Sequence, residues 1–281
     1  MNFSELKLIT PLIKALKKKR FYEPTPVQQK AIPHIMQRKH LLVTAEAGMG
    51  KTAAYILPIV QMIYRKDSRL NQPPLRAIMV APNIDMARQI DRNLMTYCKF
   101  TNVNHNALWN KGKYEKFLHA NRSILVATPE VLQDILKQKL IDTSEVKLLV
   151  LDELEQMIPN LQADVEGIIQ ALPTDVQRLF FISTPTDICK EWAPLHLENA
   201  HEIVVTREEL AEFKRTAYER KAKRALSKRE AQPKRELTPE QQVAAEGKVQ
   251  KKQMAKLKHI FRNRSEDLPK GLQRKLRWPL G

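Results

Sequence analysis

At 281 residues the chain can hold one large domain or two small ones, and with 43% hydrophobic residues it can bury an ordinary core. Two cysteines, Cys98 and Cys189, lie too far apart for a metal or redox motif and suit a reducing compartment. No stretch is apolar enough to span a bilayer, so no membrane partner is expected and a cytoplasmic location is. The formal charge of +17 is uneven: 22 of the 48 Lys and Arg, but only 10 of the 31 Asp and Glu, follow Thr206.

The first stretch, MNFSELKLITPLIKALKKKR, lacks the continuous apolar run of a secretory signal and reads as an amphipathic helix. From there to Thr206, short apolar, β-branched runs alternate with longer helical patterns. That alternation predicts an α/β fold, a mainly parallel sheet covered by helices on both faces. Strands are expected at 40–45, 76–82, 123–128, 147–153, 178–184 and 202–205, and helices near 52–65, 84–99, 113–120, 129–139, 161–171 and 187–193. Thr128 is set to cap the fourth of these helices, with Pro129 at its first position, where a missing N–H costs nothing.

After Thr206 the strand pattern stops. Thr206 and Glu209 have the spacing of a capping box ahead of a charged helix, and Thr238, Pro239 and Gln241 open another that reaches about His259. The domain boundary is therefore expected near 206, with residues 207–281 forming a basic extension, helical or partly disordered.

The segment AEAGMGKT, 45–52, follows the first strand and opens a helix. In a loop of the general form G-x-x-x-x-G-K-[ST], backbone N–H groups wrap phosphates, the lysine neutralises their charge and the hydroxyl holds Mg²⁺. Gly48, Gly50, Lys51 and Thr52 meet that pattern, while Ala45 stands where the first glycine would be. Such a site also needs an acid for the metal's water shell and a base to aim the attacking water. LLVLDELEQ supplies Asp152 for the first task and Glu153 for the second, at the end of an apolar strand. Read in isolation, the pair is only an acidic helix start favoured by the dipole.

Together these residues resemble the first, RecA-like, P-loop ATP-binding domain of the DEAD-box RNA helicases, over about 3–206. RFYEPTPVQQKAIP, 20–33, is similar to that family's adenine-recognition signature. The resemblance implies that Phe21 stacks on adenine, Gln28 hydrogen-bonds its edge and Thr25 supports them. Phe3 stands at the spacing of a further upstream aromatic. The family's loop, A-x-x-G-x-G-K-T, begins with alanine, which accounts for Ala45. It implies that Ala45, Glu46, Ala47, Gly48, Met49, Gly50, Lys51 and Thr52 cradle ATP, that Thr52 and Asp152 hold Mg²⁺, and that Lys51, Asp152 and Glu153 carry hydrolysis.

Several positions depart from the family pattern. Leu154 and Glu155 replace the alanine and last aspartate of the name-giving motif. The RNA-contact positions implied are Pro82, Asn83, Gly112, Thr128 and Pro129. However, Ile84 and Val131 stand where the family has arginines, and Gly112 is the one glycine left of a pair. The motif that couples ATP state to unwinding appears as ISTP, 182–185, keeping Ser183 and Thr184. Nothing resembles the second domain's arginine-finger motif, and HIFRNR, 259–264, reads as a basic helix face.

The resemblance with these departures implies an ATP-binding protein acting on RNA, with slow RNA-dependent ATP hydrolysis and little autonomous unwinding. A protein partner supplying the missing domain or finger fits that reading. The alternative is a non-processive RNA-binding or RNP-assembly factor in which ATP is a structural ligand or weak switch. Under either, the basic tail, with Phe213, Tyr218, Phe261 and Trp278 among its cations, supplies most of the salt-dependent RNA affinity.

Overall fold

The computed structural model describes residues 2–65, 73–110, 114, 122–230, 247, 250–252 and 254–255. Its centre is a seven-stranded sheet in the order β3-β4-β2-β5-β6-β1-β7. The strands are β1 (Leu41–Ala45), β2 (Ala77–Val80), β3 (His105–Leu108), β4 (Ile124–Ala127), β5 (Leu148–Leu151), β6 (Gln177–Ile182) and β7 (His201–Val205). Every neighbouring pair is parallel. β2, β4 and β5 are buried along their whole length, which is why AIMV, ILVA and LLVL read as unbroken apolar runs rather than as alternation.

Helices close both faces, and successive strand residues feed opposite cores. Leu41, Val43, Met79 and Val150 join one apolar cluster with α1 (Thr10–Lys18), α2 (Pro26–Met36), α3 (Lys51–Ile63) and α4 (Ile84–Tyr97). Ile78, Val80, Leu149 and Leu151 join the other, with α5 (Pro129–Lys137), α6 (Leu154–Gln170) and α7 (Asp187–Leu195). Both cysteines are buried and free. Among the described residues no helix is long and apolar enough to cross a membrane.

Two expected elements shift. HNAL forms the edge strand β3, where none is expected from so polar a run. The helix expected to start near 161 begins at Leu154 instead; Pro159 lies inside it and Leu161 leaves helical geometry (φ −125°, ψ 19°). The expected start was the kink that a mid-helix proline produces. The helix expected at 113–120, and most of that expected after Thr238, lie outside the described residues.

Contacts divide the chain into units Met1–Lys221 and Ala222–Gly281. The last described long helix, α8 (Arg207–Glu230), starts in the first unit, so that unit continues past the boundary expected near 206. What the sheet does for function follows from its order. β5, β6, β1 and β7 lie side by side, so the turns after their C-terminal ends gather at one edge, the usual place for a ligand in an open parallel sheet.

Candidate nucleotide-binding site

The turn after β1 takes a shape that only glycine holds without strain. Gly48 and Gly50 have φ of +80° and +92°. A Cβ on Gly50 would meet the Gln28 Nε2 at 2.6 Å and the Thr25 Oγ1 at 3.1 Å. The closeness has a purpose: Gln28 Nε2 donates to the Gly50 carbonyl at 3.1 Å, and Gln28 Oε1 accepts from the Thr25 backbone N–H at 3.1 Å. Thus the buried Gln28 ties the start of α2 to the last turn of the phosphate loop. Phe21, by contrast, is 51% exposed, an aromatic with an uncovered face. Phe3 is packed in the core instead.

At the first turn of α3, Lys51 is 5% exposed and held three ways. Its Nζ donates to the Ala45 carbonyl at 2.8 Å and to the Ser183 hydroxyl, and pairs with Glu153 Oε1 at 3.0 Å. β5 ends beside it. Glu153 turns the chain into α6 in the left-handed region (φ 55°, ψ 50°), a conformation that costs a non-glycine residue about 1–3 kcal/mol and is characteristic of functional sites. Burial works to raise the Glu153 carboxyl, but the Ser183 hydroxyl and the Lys51 ammonium outweigh it and hold it below the usual value. It is therefore an ionised base at neutral pH.

Asp152 is buried. Its Oδ2 accepts from the Tyr55 hydroxyl at 2.8 Å, while Oδ1 has no protein partner. Burial pushes Asp152 up to about 6, the Tyr55 hydrogen bond opposing the rise and Glu153 adding to it. An orphan buried carboxylate oxygen is rare unless something else satisfies it. A metal-bound water would do so. Thr52 lies near enough to influence the Tyr55 hydroxyl. Among the described residues no three His, Cys, Asp or Glu side chains could cage a metal.

The ISTP segment lies against the turn after β5. Glu155 Oε1 accepts from the backbone N–H groups of Ser183 (3.0 Å) and Thr184 (3.2 Å). The extra methylene of glutamate over aspartate still spans the turn after β5 to the turn after β6. Burial, with Glu153 adding to it, holds the Glu155 carboxyl above its ordinary value. Glu155, standing where the family has aspartate, thus links the two turns.

The structure describes four of the five expected RNA-contact residues, Pro82, Asn83, Thr128 and Pro129. Asn83 caps α4, its Oδ1 accepting from the Met86 N–H at 3.0 Å, and Ile84 follows it, exposed. Pro82 is half-buried, and Thr128 and Pro129 are buried at the start of α5. Val131, in the arginine position, is 3% exposed and belongs to the core. Gly112 lies outside the described residues. A cavity of about 330 Å³ at the opposite end of the sheet is lined by Arg38, Arg65, Arg76 and Lys147, remote from this machinery.

A sequence profile described as DEAD/DEAH box helicase matches residues 25–192. The chain belongs to that family. Among its DEAD/DEAH relatives is the "Probable ATP-dependent RNA helicase ddx27" of Dictyostelium discoideum, 32% identical over 203 residues, which are 70% of this chain and 26% of that protein. The chain thus spans well under half the length of this relative. Its fold is that of a DEAD box protein from the hyperthermophile Methanococcus jannaschii, with a TM-score of 0.68 at 24% identity, covering 73% of this chain and 56% of that one. It is also similar to Saccharomyces cerevisiae Dbp5 bound to RNA and ADP BeF3, with a TM-score of 0.65, 26% identity, and 74% and 53% of the two chains covered.

Motif reading missed two participants in this DEAD/DEAH site. Tyr55, which holds Asp152, reads as one more apolar position of α3; the available signal was its spacing of four from Lys51, which puts both on one helix face. Ser183 is legible as a motif residue but not as a partner of Lys51.

Proposed function

We propose that the chain binds Mg-ATP at the turn after β1 and hydrolyses it in an RNA-dependent manner, with little duplex unwinding of its own. The observation that carries this reading is the convergence of Lys51, Asp152, Glu153 and Ser183 at one sheet edge, with Gln28 locked to Gly50. Phe21 and Gln28 would read the base, the 45–52 segment would wrap the phosphates, and Thr52 and Asp152 would hold Mg²⁺. When bound, that ion neutralises phosphate charge. Lys51 would exchange its present partners for phosphate oxygens, which frees Glu153 to accept a proton from the attacking water.

RNA as the second ligand is supported by the family and by the relative solved with RNA and ADP BeF3. In this chain the basic residues after Thr206 carry most of that affinity. Weak unwinding follows from Ile84 and Val131: an exposed isoleucine and a core valine replace two cations that would grip a strand. The same two residues favour the alternative, an RNA-binding or RNP-assembly factor in which ATP is a structural ligand or switch. A protein partner completing the site is part of the first reading.

ATP turnover with and without RNA separates the two, measured for the wild type, Lys51→Ala and Glu153→Gln. Turnover should rise with RNA, the rise should shrink as salt increases, and both variants should be inactive. Nucleotide binding lost in Lys51→Ala with no turnover in any form would select the alternative.

A further inference from the structure

The register of β7 on β1 pairs Val205 with Ala45, so the chain leaves the sheet beside the first residue of the phosphate loop. α8 begins there under a reciprocal cap: the Thr206 N–H donates to Glu209 Oε2 at 3.1 Å, and the Glu209 N–H to Thr206 Oγ1 at 3.3 Å. Its half-buried residues, Glu209, Leu210, Phe213, Thr216 and Ala217, recur at helical spacing, and Leu210 packs on the core. Three ion pairs fix the docked face. Arg207 Nε lies 2.6 Å from both oxygens of Glu46, Glu209 pairs with Lys30 at 2.7 Å, and Arg220 pairs with Glu23 at 2.8 Å.

The three partners are not scattered. Glu46 belongs to the phosphate loop, and Glu23 and Lys30 flank Thr25 and Gln28 in the segment assigned to adenine. We infer that the first half of α8 is part of the nucleotide site, with Arg207 and Arg220 as positioning residues for the phosphate and adenine segments. This rests on the ATP reading above and deepens it. The physical reason is charge. Glu46 puts a carboxylate next to the loop that must receive a triphosphate. Arg207, its single Nε–H shared between both oxygens, offsets that charge beside the loop. Exposed pairs of this kind are individually weak and salt-screened, so docking is an equilibrium that a ligand can bias. By linkage, whatever docked α8 adds to nucleotide affinity, bound nucleotide adds to α8 docking.

The test uses the full chain and fluorescent ATP and ADP analogues, with hydrogen exchange of 207–220 as a second readout. Arg207→Ala/Arg220→Ala should weaken ATP about threefold to fivefold at low salt, the scale of exposed charge pairs. ADP should weaken less, because it carries less charge. Adding Glu46→Gln to that variant should recover most of the loss, which a merely structural role for the arginines would not allow. In the wild type, bound ATP should slow exchange across 207–220. Equal affinities with unchanged exchange would overturn the inference, and tighter ATP binding by the variant would make α8 a cover rather than a support. If the wild type binds no nucleotide at all, the ATP reading itself falls and this inference with it.

Discussion

Asp152 has two buried oxygens and one described protein donor, the hydroxyl of Tyr55. That hydroxyl fixes the carboxylate rotamer and leaves Oδ1 without a protein partner, open to the proposed Mg²⁺ or its water. Tyr55→Phe keeps the packing of a fully buried ring and deletes only the donor. A hydrogen bond to a charged group contributes about 1.5–3 kcal/mol, so urea denaturation should register a loss of that size. The Mg²⁺ concentration for half-maximal ATP turnover should rise on the order of tenfold, the usual effect of removing a residue that orients a metal ligand. An unchanged Mg²⁺ requirement would mean that the hydroxyl is idle. Lys51, Asp152 and Glu153 were legible in sequence because loop and acid pair each carry a chemical pattern. Tyr55 was not, because a helix-face aromatic carries none.

Between elements, Glu155 is the tie that joins the turn after β5 to the turn after β6. Glu155→Ala would leave the Ser183 and Thr184 N–H groups without their acceptor. The expected cost is about 1–3 kcal/mol by denaturant unfolding, together with turnover that no longer rises with RNA. Glu155→Asp should restore part of both, its carboxylate being one methylene short of the same donors. A full loss of stability with RNA stimulation intact would break the proposed coupling. β2, β4 and β5 were readable because buried parallel strands are apolar throughout, and even the exposed edge strand β7 carries the β-branched run Ile203–Val205. β3 was not, because an edge strand with half-buried positions has no such run. The start of α6 was hidden by Pro159, since a proline in a periodic pattern reads as a boundary where here it is a kink.

Across the molecule, half-buried neutral histidines work against acid stability, opposed in the same range by Asp152, whose raised carboxyl gains its proton on folding. His40 Nδ1 accepts the Arg178 N–H at 3.0 Å, and burial, then the Arg178 charge, hold its pKa below the ordinary value. His105 and His196 are lowered too, burial again being the largest cause. A lowered folded-state pKa means that the unfolded chain binds these protons first. The stability in question is therefore complete above about pH 6.5 and is lost as pH falls through the lowered folded values. His40→Asn, whose Oδ1 can take the same N–H, should lose less thermal midpoint on acidification from pH 7.5 to 5.5 than the wild type does. The same pH slope in both proteins would contradict this. The α/β architecture and the basic bias after Thr206 were both legible at this scale. The docking of α8 on the loops was not, because its ion pairs join residues far apart in sequence, as Arg207 and Glu46 are.

Calorimetric titration of Mg-ATP into the full chain and into Lys51→Ala tests the account at its root. The wild type should give a saturable one-to-one isotherm, and the variant should bind at least about tenfold more weakly, since a lysine–phosphate contact is charge-assisted. No heat from the wild type, or the same isotherm from both proteins, would contradict it.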